Sequence, residues 1–224
     1  MENNIFDINM SELVHDNILS WIIRGINSSD RESLLYQFSV KFLRLMDIDT
    51  KNTKVIVKQQ YKIDLGIKKG NERRSSGYVD ILARFLNDKG DVEQYLVIED
   101  KIYTEEHDDQ FSRYIKGILD DKDLNIRGNE EKVKNTHFVY IKLGKISNAS
   151  KEKAETIYEN NKSWKVISSK EILKIFTDTF QRKPLNDSVL MCYKEFLIDL
   201  EENYNSFSKT ELDKWSEHSI FGFF

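Results

Sequence analysis

The sequence has few of the residues that break a chain or staple it. Among 224 residues there are one proline, one cysteine and nine glycines. So little proline and glycine excludes a low-complexity or loop-dominated chain. The lone Cys192 cannot close an internal disulfide, and thiolate metal clusters need several ligands at short spacing. A reducing, cytoplasmic setting is therefore expected. No apolar run approaches about 18 residues, so no membrane span is expected. The opening MENNIFDINMSELVHD is acidic and has no apolar centre, which predicts no secretory signal. Positive charge is not in excess either. Thirty-four Lys and Arg against 38 Asp and Glu leave a net charge of −4. That balance argues against a general nucleic-acid coat protein, but not against an enzyme with a local basic surface. A phosphate-cradling loop, a dinucleotide fingerprint and a Ser-His-Asp order are also missing.

What is present is core material. Hydrophobic residues make up 39% of the chain, with 13 Phe, 10 Tyr and 3 Trp. Residues 11–26 carry Leu13, Ile18, Leu19, Ile22, Ile23 and Ile26 at helical spacing, with Ser11 as N-cap. Residues 30–46 repeat the pattern, and Ser29 followed by Glu32 reads as a capping box. The texture then turns β-branched and alternating. Strands are expected over 53–64, 78–88 and 92–103, with a glycine- and charge-rich loop over 66–77 and a tight turn at 89–91. Three strands joined by short turns predict an antiparallel meander. A helix over 105–121 leads to a strand over 135–144, parallel to the strand before the helix. A helix at 150–160, a short strand at 164–168 and helices at 170–180 and 186–204 follow. The reading is one α/β domain over 1–224, with a core of about 11–143 and a largely helical C-terminal elaboration from about 150.

Within this pattern, Leu96-Val97-Ile98-Glu99-Asp100-Lys101 places Glu99 and Lys101 on one face of a strand and turns Asp100 the other way. Asp80 lies in the preceding strand between Val79 and Ile81. Glu-x-Lys alone is a common surface salt-bridge pattern. What distinguishes this one is the apolar run leading into Glu99 and the second acid on the neighbouring strand. Adjacent carboxylates repel, and a divalent cation relieves them. Two acids holding a magnesium ion, with a lysine two residues after the second acid, supply what phosphodiester hydrolysis needs. Phosphate charge is neutralised, water is activated, and developing charge is stabilised.

Gly77-Tyr78-Val79-Asp80, Ile98-Glu99-Asp100-Lys101 and Gln110-Phe111-Ser112-Arg113-Tyr114 together resemble the signature of the PD-(D/E)XK nuclease superfamily. The likeness is to its bacterial branch with a Gln-x-x-x-Tyr helix after the lysine strand. It implies a restriction-endonuclease-like α/β core of helix, three-strand meander, helix and strand, with a mixed central sheet flanked by helices. It implies that Asp80, Glu99 and the backbone carbonyl of Asp100 bind Mg²⁺ or Mn²⁺, and that Lys101 is the catalytic lysine. Glu12 and His15, i and i+3 on the first helix, match a Glu and a His of the same branch. Glu12 would be a further metal or water ligand, and His15 a phosphate or supporting contact. A first-turn acid also suits the helix dipole whatever the function. Gln110 would point at the site. Tyr114 would touch nucleic acid or support the site, although it also fits the apolar face. Gln60 stands where relatives often carry an acid, which favours one metal over two. Lys68, Lys69, Arg73 and Arg74, in the loop before Asp80, fit a grip on the phosphate backbone.

The expected activity is hydrolysis of phosphodiester bonds, in DNA, with nucleic acid as the partner. The alternative is a non-catalytic nuclease-fold subunit that binds nucleic acid or another protein. The apolar end Ile220-Phe221-Gly222-Phe223-Phe224 offers a surface for a partner or for a homodimer.

Overall fold

The computed structural model describes residues 11–51, 53–67, 74–102, 104, 109–180, 186–215 and 220. Helix α1 (Glu12–Arg24) begins where Ser11 Oγ accepts the Val14 amide at 3.3 Å. Ile18, Leu19, Ile22 and Ile23 form its buried stripe. Helix α2 (Leu34–Leu45) is capped by Ser33, which accepts from the Tyr36 amide. The Ser29 capping box expected from the sequence is not used. Asp30 instead turns the chain, its carboxylate accepting the Glu32 amide and its carbonyl the Ser33 amide.

The sheet order is β1-β2-β3-β4-β5, formed by Lys54–Ile67, Arg74–Leu86, Val92–Lys101, Thr136–Lys142 and Trp164–Ser168. β1, β2 and β3 pair antiparallel, and β3, β4 and β5 pair parallel. The crossover between β3 and β4 contains α3 (Gln110–Leu119) and the short α4 (Glu130–Lys134). That between β4 and β5 contains α5 (Asn148–Glu155). β1 and β2 run further into the expected 66–77 loop than the alternation suggested. A register shift between Asp64 and Ile67 bends β1 there, with Gly66 at φ +76° and its amide held by Asp64 Oδ1.

Each face of the sheet buries its own apolar cluster. On one, α1 and α2 join α6 (Ser169–Phe180) and α7 (Ser188–Asn205) over Val55, Val57, Ile81, Ala83, Leu96, Ile98, Val139 and Ile141. On the other, α3 covers Ile63, Val79, Leu82, Tyr95, Val97, Phe138 and Tyr140. From Tyr95 to Asp100 every β3 residue is buried, as expected of a strand covered on both faces. β5, α6 and α7 thus pack into the same sheet and clusters as the segment ending near 143. Among the described residues, no helix is long and apolar enough to cross a membrane. Phe221, Phe223 and Phe224, on which the expected docking surface rests, lie outside the described residues; Ile220 is exposed.

The crossing of α1 and α2 depends on one missing methyl. A Cβ added to Gly25 would collide with Ser39 Oγ and come within 2.8 Å of Leu35 Cγ. Ser39 Oγ is itself committed between the carbonyls of Ile22 and Leu35 at 2.5 and 2.6 Å. Gly25→Ala is expected to lower unfolding stability by about 1–3 kcal/mol. Urea denaturation with an unchanged m-value checks this, and an unaltered midpoint would contradict the tight crossing.

Candidate active site

Alternation along β3 distributes the site residues between the two faces. Leu96 and Ile98 join the α1-side cluster, whereas Tyr95 and Val97 join the α3-side cluster. Continued by two residues, this sends Glu99 toward α3 and Asp100 toward α1. The contacts agree. Gln110 of α3 donates Nε2 to Glu99 Oε1 at 2.5 Å. His15 of α1 meets Asp100 Oδ2 through Nδ1 at 2.6 Å. Lys101 reaches from the end of the strand, with Nζ 3.0 Å from Glu99 Oε1 and 3.4 Å from Glu12 Oε2. Glu12 also accepts from the Thr104 hydroxyl at 2.7 Å.

Asp80 arrives by a different device. In β2, Ile81, Ala83 and Phe85 pack on the α1 side, yet Val79, two residues before Ile81, packs on the α3 side. β1 changes phase at the same level, from Val57 on the α1 side to Ile63 on the α3 side. Backbone pairing runs down to Gln59↔Ile81 and resumes at Tyr61↔Val79. Between them stand Gln60, at φ +48°, and Asp80. The β2–β3 ladder also ends at Ile81↔Ile98, so Asp80 comes opposite Glu99 where the strands part. Its Oδ2 accepts the Asp100 amide at 2.8 Å and its Oδ1 the Gln60 side chain at 3.2 Å.

Two residues that the sequence reading passed over belong to this network. Asp16, one helical turn after Glu12, is 1% exposed. Its Oδ2 accepts from Gln60 Nε2 at 3.3 Å. Its i+4 spacing from Glu12 was the available signal. Tyr193 of α7 contacts His15 Nε2 through its hydroxyl at 2.8 Å, closing a buried chain Tyr193–His15–Asp100. His15 is fully buried with both ring nitrogens engaged, so a direct phosphate contact is not open to it; it supports Asp100. Tyr114 is half-buried. Its ring lies 3.0 Å from where a Gly77 Cβ would stand, and its hydroxyl meets Gln110. Lys68, Lys69 and Arg73 lie outside the described residues, as does the side chain of Arg74, whose backbone opens β2.

Carboxyl groups dominate this pocket. Burial, and next the Asp80 charge, push Glu99 up to about 8, against Lys101 and Gln110. Burial pushes Asp16 up to about 8 as well, with Asp80 and Asp100 adding to it. Asp80 is raised by burial, which outweighs the pull of Lys101 and of the Asp100 amide. Burial disfavours the Lys101 charge, but Glu99, Asp80 and Glu12 outweigh it and hold the ammonium protonated. Glu99 Oε2, Asp16 Oδ1 and Asp100 Oδ1 are buried without a hydrogen-bond partner among the described residues.

Such a donor set suits a hard divalent cation. Among the described residues, no three His, Cys, Asp or Glu side chains converge tightly enough to enclose an ion. Magnesium does not require that, because one or two carboxylates and several waters complete its octahedron. Asp80, Glu99 with its unpartnered Oε2, and the Asp100 carbonyl are the residues that would hold it.

The fold agrees with the comparison to known families. A family model of the PD-(D/E)XK nuclease superfamily matches residues 3–197, and the chain belongs to that superfamily. Its members are in general phosphodiester hydrolases that use divalent metal ions. No curated protein and no solved structure matches the chain.

The raised acids carry a signed prediction for the metal-free protein. Between the ordinary carboxylate range and about 8, the folded state keeps protons on Glu99 and Asp16 that the unfolded chain has released. Stability therefore falls as pH rises through that window. Lys101 stays protonated in both states there and does not oppose the trend. Denaturation in EDTA at about pH 5 and about pH 8.5 should show a loss for the wild type and a smaller loss for Glu99→Gln and Asp16→Asn. Equal losses in all three would refute the assignment.

Proposed function

We propose that the protein is a Mg²⁺- or Mn²⁺-dependent nuclease that hydrolyses phosphodiester bonds of DNA. The observation that carries the reading is the meeting of Asp80 and Glu99 where β2 and β3 part, with the Lys101 ammonium 3.0 Å from Glu99. When bound, the cation supplies charge neutralisation at the phosphate and lowers the pKa of water. The remaining work falls to the chain. Asp80 and Glu99 present oxygen ligands, and the Asp100 carbonyl adds a third. The Asp100 amide fixes one oxygen of Asp80, and Gln110 fixes one oxygen of Glu99.

Lys101 orients the attacking water and stabilises the charge that develops on the phosphate oxygens. Glu12, shared between Lys101 and Thr104, holds the lysine and offers a further oxygen to metal or water. His15, backed by Tyr193, is a positioning residue that acts through Asp100. Tyr114 borders the site beside Gln110. Lys68, Lys69, Arg73 and Arg74 precede Asp80 in sequence and are proposed to grip the phosphate backbone. Gln60 carries no charge, and this favours a second reading, a non-catalytic subunit that binds nucleic acid without cutting it.

A cleavage assay decides between them. Wild type, Asp80→Ala and Lys101→Ala are incubated with linear, circular and single-stranded DNA and with RNA, in Mg²⁺, Mn²⁺ or EDTA. Metal-dependent cutting of DNA is expected from the wild type, with each variant at least about 100-fold slower. A folded wild type that cuts nothing and binds no metal by calorimetry would sink the reading, and retained binding of DNA would then favour the second.

A further inference from the structure

We propose, resting on the nuclease reading above, that Tyr78 and Lys62 form a stacking surface for single-stranded DNA on the open face of the β1–β2 hairpin, beside Asp80.

Beyond the end of the β2–β3 ladder at Ile81↔Ile98, β1 and β2 continue as a two-stranded arm, paired from Tyr61↔Val79 to Ile67↔Arg74. α3 covers one face of this arm. Ile63 and Val79 are buried in the α3-side cluster, and a Cβ on Gly77 would stand 3.0 Å from the Tyr114 ring. Strand alternation turns Lys62, Ser76 and Tyr78 to the opposite face. All three are exposed, and Tyr78 is 49% exposed despite its large ring. Lys62 and Tyr78 are cross-strand partners. Among the described residues, no hydrogen bond, ion pair or ring contact engages either side chain.

Charge favours nucleic acid as the occupant. From Lys62 to Tyr78 the sequence carries five basic residues against two acidic ones, Asp64 and Glu72, a net charge of +3 in a chain whose total is −4. A basic surface with an open aromatic ring suits a single strand, because the charge follows the phosphates and the ring takes a base face. Duplex bases are stacked on one another and offer no face to such a ring. Tyr78 precedes Asp80 by two residues, about 7 Å along the strand. A base resting on Tyr78 therefore belongs to a nucleotide adjoining the phosphate at Asp80, while Lys62 meets the backbone charge. Tyrosine is also a favoured strand residue, and the competing account is that its ring only shields the apolar stem of Lys62.

The test measures binding by the full-length protein in EDTA, where no cutting intervenes. Fluorescence anisotropy follows a labelled thymidine oligonucleotide, its duplex with the adenine complement, and an abasic strand of the same length. Tyr78→Ala is expected to weaken binding of the single strand about 10-fold and to leave the duplex and the abasic strand within about twofold. Tyr78→Trp should restore the single-strand affinity, which a merely shielding role would not require. Lys62→Ala should weaken all three and lower the salt dependence by about one phosphate contact. Should Tyr78→Ala not fold, Tyr78→Thr, which keeps strand propensity, is expected to give the same selective loss. Unchanged binding by Tyr78→Ala, or an equal loss on all three probes, overturns the stacking surface and leaves the nuclease reading standing. A selective loss in a protein that cuts no substrate upholds the surface and sinks the nuclease reading. A folded wild type that binds no oligonucleotide overturns the surface whatever the cleavage assay gives.

Discussion

The structure is organised around a cluster of buried carboxyl groups that outnumber the cations beside them among the described residues. Asp16, Glu99 and Asp100 are buried and Asp80 is half-buried among them, with one lysine, Lys101, in reach among the described residues. Burying a carboxylate is costly unless it is paired or hydrogen-bonded. Every neighbouring element gives a group to limit that cost. β3 offers the Asp100 amide to Asp80, α3 offers Gln110 to Glu99, α1 offers His15 to Asp100, and β1 offers Gln60 to Asp16 and Asp80. Even so, three of their carboxylate oxygens keep no hydrogen-bond partner among the described residues. Removal of one donor would leave a further buried acceptor unsatisfied, and that penalty exceeds the net worth of an ordinary hydrogen bond.

The sheet permits this concentration because its regular pattern fails in one place. Strict alternation would have put Asp80 on the same face as Leu82, against α3. The phase change shared by β1 and β2 at Gln60 and Asp80 frees both side chains from either apolar cluster. A non-glycine residue at φ +48° is held there only when its surroundings dictate it. The well-packed clusters on both faces supply that constraint, so the departure is local. β3, by contrast, keeps its alternation to the end, and this divides Glu99 from Asp100 and sends their partners in from opposite sides.

The same contrast explains what the sequence made legible. Asp80, Glu99 and Lys101 stand out because a strand with period two needs only a few letters to be read. Gln110 is legible only through the resemblance carried by Gln110-x-x-x-Tyr114, since the helix was expected to begin at 105. The start of α2 misled because Ser29-x-x-Glu32 and Ser33 are both credible caps, and only the Asp30 turn decides between them. α4, with sequence EEKVK, has too few apolar residues to show a period. The phase change at Gln60 and Asp80 is invisible in a run such as Tyr78-Val79-Asp80-Ile81, which reads as uninterrupted strand. Asp16 was within reach as the residue one turn after Glu12. Tyr193 was not, because its partner His15 is 178 positions away and nothing local marks a tyrosine on an apolar helix face as a hydrogen-bond donor.

The crowding of carboxyl groups that makes this pocket costly to bury would also give it affinity for a cation. A ligand that binds the folded state and not the unfolded one stabilises the fold by its own binding free energy. A cation bound here would draw that free energy largely from relief of the burial cost already present in the metal-free fold. A substitution that removes one carboxylate would therefore act twice, raising the stability of the empty protein and lowering its hold on an ion. The two effects are linked and cannot be tuned separately at these positions. A site of this kind is maintained at the expense of stability, and that expense falls on the two apolar clusters that flank the sheet.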